Sequence, residues 1–152
     1  MQNTKTSVSD AAAQIYKNMK MGESSVLDLL PKVKNEQLRE EMIVHMEGYQ
    51  RFSDRAKDML NAEHREAKDA GIIAKVSAKM GTAMNTMMDS TASHIAEMMI
   101  EGSTMGITDH TRILHELTRG ESKDPNRDGV LGLTKDILSF EEAQIEKMKR
   151  FL

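Results

Sequence analysis

The chain has 152 residues, the size of one ordinary domain with a sizeable core, and two domains would be crowded. Its 24 acidic and 21 basic side chains are spread along the whole length and give a formal charge of -3, so the sequence lacks the basic field that binds nucleic acid. Cysteine is absent, which excludes disulfides, thiolate metal sites and thiol catalysis.

The composition is typical of helices. Aromatic residues are scarce, with Phe 3, Tyr 2 and Trp 0, the prolines number 2, and helix-forming residues dominate. The first residues are polar and lead into an amphipathic segment, so we expect no secretory signal. No segment reaches the roughly 20 uninterrupted apolar residues of a membrane span. We therefore predict an all-α cytoplasmic protein, with no membrane contact and one domain over residues 1–152.

The first predicted helix begins at Ser7 or Ser9, which are both good N-caps, and ends near Leu30 because Pro31 follows. Its apolar residues recur at helical intervals, and Glu23 falls at an interval that this pattern reserves for a buried residue. A glutamate is rarely fully buried without a partner. Glu23 is therefore either the edge of the apolar stripe or part of a site.

The second predicted helix begins near Asn35, an N-cap, and continues to about His64 or Ala67. His45 occupies a central position of its apolar stripe, and Glu41 lies one turn earlier on the same side. A histidine on an apolar face is more often a hydrogen-bonded core residue than a ligand. A carboxylate within reach keeps both interpretations open.

Residues 72–118 are too long for one bundle helix, because a single helix of that length would extend about 70 Å. Glycine, threonine and asparagine residues over 81–88 weaken helix propensity. We predict a short crossover helix over residues 72–84 and a third main helix over residues 87–117, with five helices of unequal length as the alternative. On the third helix His94, Glu97 and Glu101 share one face, at i, i+3 and i+7.

A loop over about residues 119–128 precedes the final helix, and Asp124 is predicted to cap that helix because proline is favoured in a first turn. Glu141 and Gln144 interrupt the apolar stripe of this helix in its middle. The remaining histidines, His64, His110 and His115, are interpreted as surface or capping residues.

Each main helix thus has at least one polar residue within its apolar stripe. At about 1.5 Å of rise per residue, Glu23, His45, Glu97 and Glu141 lie nearly level if the second and third helices run parallel. Burying so many ionisable groups without a cation is costly. Carboxylates and imidazoles suit iron, manganese or zinc, and bridging carboxylates suit iron or manganese best. The predicted metal site comprises Glu23, Glu41, His45, His94, Glu97, Glu101 and Glu141.

With these residues the chain resembles the ferritin-like superfamily, whose four-helix bundles place Glu on two helices and Glu-x-x-His on the other two around a carboxylate-bridged two-metal centre. The long link between the second and third helices looks like the crossover of that family. The stretch from His94 to Gly106 is also similar to one in small uncharacterised bacterial proteins of ferritin-like fold. The spacing departs from the family pattern, since Glu97 follows His94 and Gln144 stands where the family has histidine. The resemblance implies one or two iron or manganese ions, and the departures from its pattern leave open a site with none.

Two functions follow. The first is a metal centre for metal oxidation, storage or peroxide handling. The second is a metal-free structural or interaction protein in which His45 pairs with Glu41 and His94 with Glu97 in a buried hydrogen-bond network. The 14 methionines offer thioethers to Cu(I), but at helical spacing they are more commonly core or interface residues. Adjacent methionines such as those at 98 and 99 lead us to expect a homodimer or a larger homo-oligomer.

Overall fold

The computed structural model describes residues 6–67, 89–120 and 122–152. Over these ranges the chain forms four α-helices and no strand, which confirms the all-α prediction for the described residues. The helices are α1 (Val8–Leu29), α2 (Glu36–Ala62), α3 (Ala92–Arg119) and α4 (Arg127–Lys149). A short 3-10 turn, Leu30–Lys32, follows α1. The predicted crossover helix over residues 72–84 lies outside the described residues.

The starts of the helices follow from their capping residues. Ser7 caps α1 in a capping box with Asp10, and the Asn35 side chain caps α2 by accepting from the Leu38 amide at 3.0 Å. Thr91 caps α3, so this helix begins later than residue 87, the predicted start. None of the helices in the described ranges combines the length and the apolar content needed to cross a membrane.

The predicted capping role of Asp124 is wrong. The N-cap of α4 is Asn126, and its side chain makes no capping bond. Asp124 instead accepts from the Asn126 amide at 2.9 Å and forms the turn before the helix. The Arg127 guanidinium donates to the Leu117 carbonyl at 2.9 and 3.1 Å, which satisfies a carbonyl in the last turn of α3 and ties the two helices together.

Hydrogen bonds between the ends of the helices fix their directions. Three of them join a residue near the start of one helix to a residue near the end of another: Arg65 to Asp10, Thr6 to Glu116, and Arg150 to Glu41. Accordingly α1 is antiparallel to α2 and to α3, and α4 is antiparallel to α2. It follows that α2 and α3 run in the same direction.

All four helices contribute to one core of aliphatic and methionine side chains. Fully burying each such side chain stabilises the fold by about 1.5–3 kcal/mol. The largest fully buried apolar residues are Ile15, Met19, Leu38, Met42, Leu60, Ile95, Leu133, Ile137 and Met148. Midway along the bundle this apolar core gives way to polar side chains, among them His45, His110 and Glu141, which are also fully buried.

Candidate functional site

The polar side chains in the core centre on Glu141 of α4, which is 1% exposed. Both of its carboxylate oxygens accept from the Tyr49 hydroxyl of α2, at 2.9 Å for Oε1 and 3.1 Å for Oε2. A buried carboxylate requires such a donor because it has lost its water shell. Burial and the neighbouring charge of Glu141 raise the pKa of Tyr49 well above its usual value, so the phenol keeps its proton and remains a donor.

His45 lies beside this pair on α2. Its Nε2 atom is 3.6 Å from Glu141 Oε2, which is longer than a hydrogen bond. The ring packs against those of Tyr49 and Phe140, with centroid distances of 4.7 and 5.4 Å. Neither ring nitrogen has a hydrogen-bond partner within the described part of the chain, and neither does the buried Oε1 of Gln144. His45 is therefore held by aromatic packing, and its polar atoms are left for another group.

His110 of α3 lies among the same buried polar side chains. It is 0% exposed, so its interpretation as a surface or capping residue is wrong. Its Nδ1 atom lies 2.7 Å from the Gly106 carbonyl, which only accepts, so Nδ1 carries the proton. Burial lowers the pKa of His110, against the opposing effects of the Gly106 carbonyl, Glu141 and Asp109, and favours the neutral ring. Nε2 is then an acceptor, and it has no partner among the described residues.

We call His45, Tyr49, His110 and Glu141 the polar cluster. Glycines on neighbouring helices give it room. A Cβ atom at Gly106 would lie 2.8 Å from Glu141 Oε1, and one at Gly22 of α1 would lie 2.8 Å from the Tyr49 ring. Helices α1 and α3 therefore approach the cluster more closely than any other residue at these positions would allow.

A cavity of about 340 Å³ between α1 and α3 reaches the polar cluster, and we call it the cleft. All four members of the cluster line its buried end. Its outer end includes Gly102 and Met105, and Met105 is 69% exposed, so the cleft opens at the surface. Its wall is mostly apolar and includes five methionines: Met19, Met21, Met98, Met99 and Met105.

Two of the predicted metal ligands face partners away from the cluster. Glu23 pairs with Lys20 at 2.9 Å and accepts from the Gln50 amide at 3.0 Å, in the groove between α1 and α2. Glu41 pairs with Arg150 at 3.0 Å near the surface, so the predicted pairing of Glu41 with the histidine one turn later is wrong. Both carboxylates already have a cationic partner and contribute nothing to the cluster.

The predicted ligands of α3 also lie elsewhere. His94 Nδ1 is 3.5 Å from Glu97 Oε2, so the two residues are neighbours as predicted, but the Glu97 side chain is 60% exposed and the pair is not part of a buried network. Glu101 is exposed at the rim of the cleft. The helix buries Ile95 and Met99 instead. These three polar residues therefore occupy a different face of α3 from the one that packs in the bundle.

Of the seven predicted ligands, only His45 and Glu141 belong to the polar cluster; His94 and Glu97 lie near each other on an exposed side of α3. No group of three or more His, Asp or Glu side chains in the described ranges is arranged to hold a metal ion. A carboxylate-bridged two-metal centre needs several carboxylates, and the polar cluster contains one. The donors present do not fit that centre, and metal binding by the chain stays a prediction.

Chemically, the cleft can shield a small molecule from water along its methionine wall and meet a polar group of that molecule at its buried end. The burial of His110 was not predicted from the sequence, although this residue continues the spacing of the buried residues Met99, Ser103, Ile113 and Leu117.

Comparisons of the chain with protein-family models, with curated proteins and with solved structures found no match.

Proposed function

We propose that this chain is a binding protein of ferritin-like arrangement, and that its cleft takes up a small, largely apolar molecule. The observation that carries the proposal is a cavity of about 340 Å³ that leads from the surface to fully buried polar atoms that have no partner among the described residues. Ligand pockets commonly have volumes of about 300–1,000 Å³, with mainly apolar walls and a few polar groups that orient the ligand. The cleft has each of these properties.

The methionine wall supports a ligand site in preference to an unfilled gap in packing. Methionine side chains are flexible and polarisable, so they adjust to ligands of different shapes. Burying apolar surface contributes roughly 25 cal/mol per Å² before the cost of association is subtracted. An apolar ligand that fills the cleft therefore gains its affinity mainly from this wall, and the polar cluster selects its orientation.

The ferritin-like arrangement is supported by the directions of the helices. Helices α2 and α3 run in the same direction and are separated in sequence by the residues between Ala62 and Ala92, which is long enough for a crossover. Four-helix bundles with one long crossover include the ferritin-like folds. The crossover helix, the homodimer or larger homo-oligomer and the cytoplasmic location stay predictions.

The test is the binding of N-phenyl-1-naphthylamine, a neutral apolar fluorophore, to the wild type and to Gly102→Leu. Gly102 lines the outer end of the cleft, and a Cβ atom there meets nothing within 4 Å, so leucine fills the cleft without a clash. The matched control is Gly132→Leu on α4, where a Cβ atom also meets nothing within 4 Å and the residue does not line the cleft. Both changes remove a helix-destabilising glycine, so neither should lower stability.

We expect saturable binding at one site per chain in the wild type and in Gly132→Leu, and at least about tenfold weaker binding in Gly102→Leu, a difference of about 1.4 kcal/mol. Equal affinity in all three proteins would mean that the fluorophore binds elsewhere. Either that result or a wild type with no saturable binding would overturn the proposal.

A further inference from the structure

The orientation of the His110 ring decides which kind of polar group the cleft can receive. The Gly106 carbonyl, one turn earlier on α3, accepts from His110 Nδ1 at 2.7 Å and fixes the proton on that atom. The opposite ring atom, Nε2, presents a lone pair. It is fully buried, it belongs to a residue that lines the cleft, and it has no partner in the described part of the chain. Unpaired buried acceptors are rare in native proteins.

Two of the other polar groups of the cluster are already paired with each other. The Tyr49 hydroxyl already donates its one proton to Glu141, and both Glu141 oxygens accept from it. His45 Nε2 lies toward Glu141 Oε2, at 3.6 Å. Both ring nitrogens of His45 lack a partner among the described residues, but no contact fixes which of them carries the proton. In His110 the proton is fixed on Nδ1, so Nε2 accepts. A ligand that satisfies His110 must therefore bring a hydrogen-bond donor.

The apolar wall restricts the donor further. A charged ammonium group must lose its water shell to enter, and this costs far more than the transfer of a hydroxyl group. A hydroxyl group keeps a donor proton without a charge, and its carbon skeleton can contact the methionine side chains.

We infer that the cleft selects an uncharged apolar molecule bearing a hydroxyl group, which donates to His110 Nε2. This inference rests on the proposed function and adds the class of ligand to it. His110 is the residue that determines specificity, and the methionine wall supplies affinity without distinguishing a hydroxyl from a methyl group.

The test compares two probes of equal shape, 2-naphthol and 2-methylnaphthalene, by isothermal titration of the wild type, His110→Phe and His110→Gln. Phenylalanine keeps a ring but removes the acceptor, whereas the amide oxygen of glutamine restores an acceptor near the position of Nε2. Circular dichroism melting shows whether each variant is folded. The two dissociation constants give a ratio for each protein, and comparing this ratio between proteins cancels the different hydration of the probes, so the difference reports the contact of the hydroxyl group.

We expect the preference for naphthol to fall at least about tenfold from the wild type to His110→Phe, and to recover partly in His110→Gln. The affinity for methylnaphthalene should stay within about twofold in all folded variants, because the hydrocarbon makes no hydrogen bond. If both probes bind the wild type and the ratio is unchanged in folded His110→Phe, the inference is wrong and the proposed function stands. If neither probe binds the wild type, the proposed function itself fails.

Discussion

Replacing Gly106 by alanine would press a methyl group against the buried carboxylate of Glu141. The new Cβ atom would lie 2.8 Å from Glu141 Oε1 and 3.4 Å from the carboxyl carbon, so one of the two residues must move. The end of a glutamate side chain is normally free to rotate away at small cost. Here both carboxylate oxygens are held by the Tyr49 hydroxyl at 2.9 and 3.1 Å, and the group is 1% exposed.

The magnitude follows from that hydrogen bond. A hydrogen bond to a charged group stabilises by about 1.5–3 kcal/mol, and a buried carboxylate left without its donor costs at least that much. Alanine offsets about 1 kcal/mol of this loss because its helix propensity exceeds that of glycine. We expect Gly106→Ala to lower the free energy of unfolding by about 0.5–2 kcal/mol, or the melting temperature by about 1–8 °C in a chain of this size.

Gly102→Ala provides the matched control, one turn earlier on the same helix. A Cβ atom at Gly102 meets nothing within 4 Å, so this change should raise the free energy of unfolding by up to about 1 kcal/mol. Urea unfolding followed by circular dichroism measures both variants. The two changes are chemically identical, and the structure requires them to have opposite signs. Two variants of equal stability would refute the packing of α3 on Glu141.

Three further predictions concern the same cluster. Tyr49→Phe removes the donor to Glu141 and should lower the free energy of unfolding by about 2–4 kcal/mol. The double variant Tyr49→Phe with Glu141→Leu should recover part of that loss. If the losses of the two single variants simply add in the double variant, the two side chains are not directly bonded. Since burial lowers the pKa of His110, the unfolded chain takes up this proton first as the pH falls. The contribution of neutral His110 to the free energy of unfolding is complete above about pH 6.5. Below that pH it decreases by at most about 1.4 kcal/mol per pH unit. His110→Phe should flatten that part of the profile, and an unchanged slope would mean that other groups cause it. Elemental analysis of protein purified without chelator tests the predicted iron or manganese. Metal bound by the polar cluster should be lost in Glu141→Gln and kept in Glu97→Ala. If both variants carry the same amount of metal, the metal is bound elsewhere.

Much of the fold was predictable because its determinants are local. Ser7 and Asn35 cap helices where their side chains can reach free backbone amides a few residues ahead. The burial of His45 and Glu141 followed from the apolar residues on either side of each at helical spacing. The turn at Asp124 was not predictable by the same reasoning, since the preference of proline for a first turn does not state which helix position it takes.

The candidate site was harder to predict because the height of a residue along a helix is easier to derive than its direction around the axis. Glu23 and Glu97 were placed level with His45 and Glu141 by counting residues, and that count gives no angle. Each residue turns the helix by about 100°, so a neighbour one position away points to a different side. In α1 the residue that meets the cluster is Gly22, one position before Glu23. The contact between Tyr49 and Glu141 joins residues 92 positions apart and leaves no local signal.

The side of α1 that faces the cluster explains why the cluster needs no second carboxylate. At Gly22 the absence of a side chain leaves the space that the Tyr49 ring occupies, and that ring delivers its hydroxyl proton to both oxygens of Glu141. Tyrosine thus satisfies the buried carboxylate in the way a cation would, without adding a charge. The Tyr49 proton is thereby engaged, and His110 Nε2, on a residue that lines the cleft, has no partner in the described part of the chain. A bundle of this kind therefore holds its buried carboxylate from within and still leaves the His110 acceptor for a ligand to satisfy.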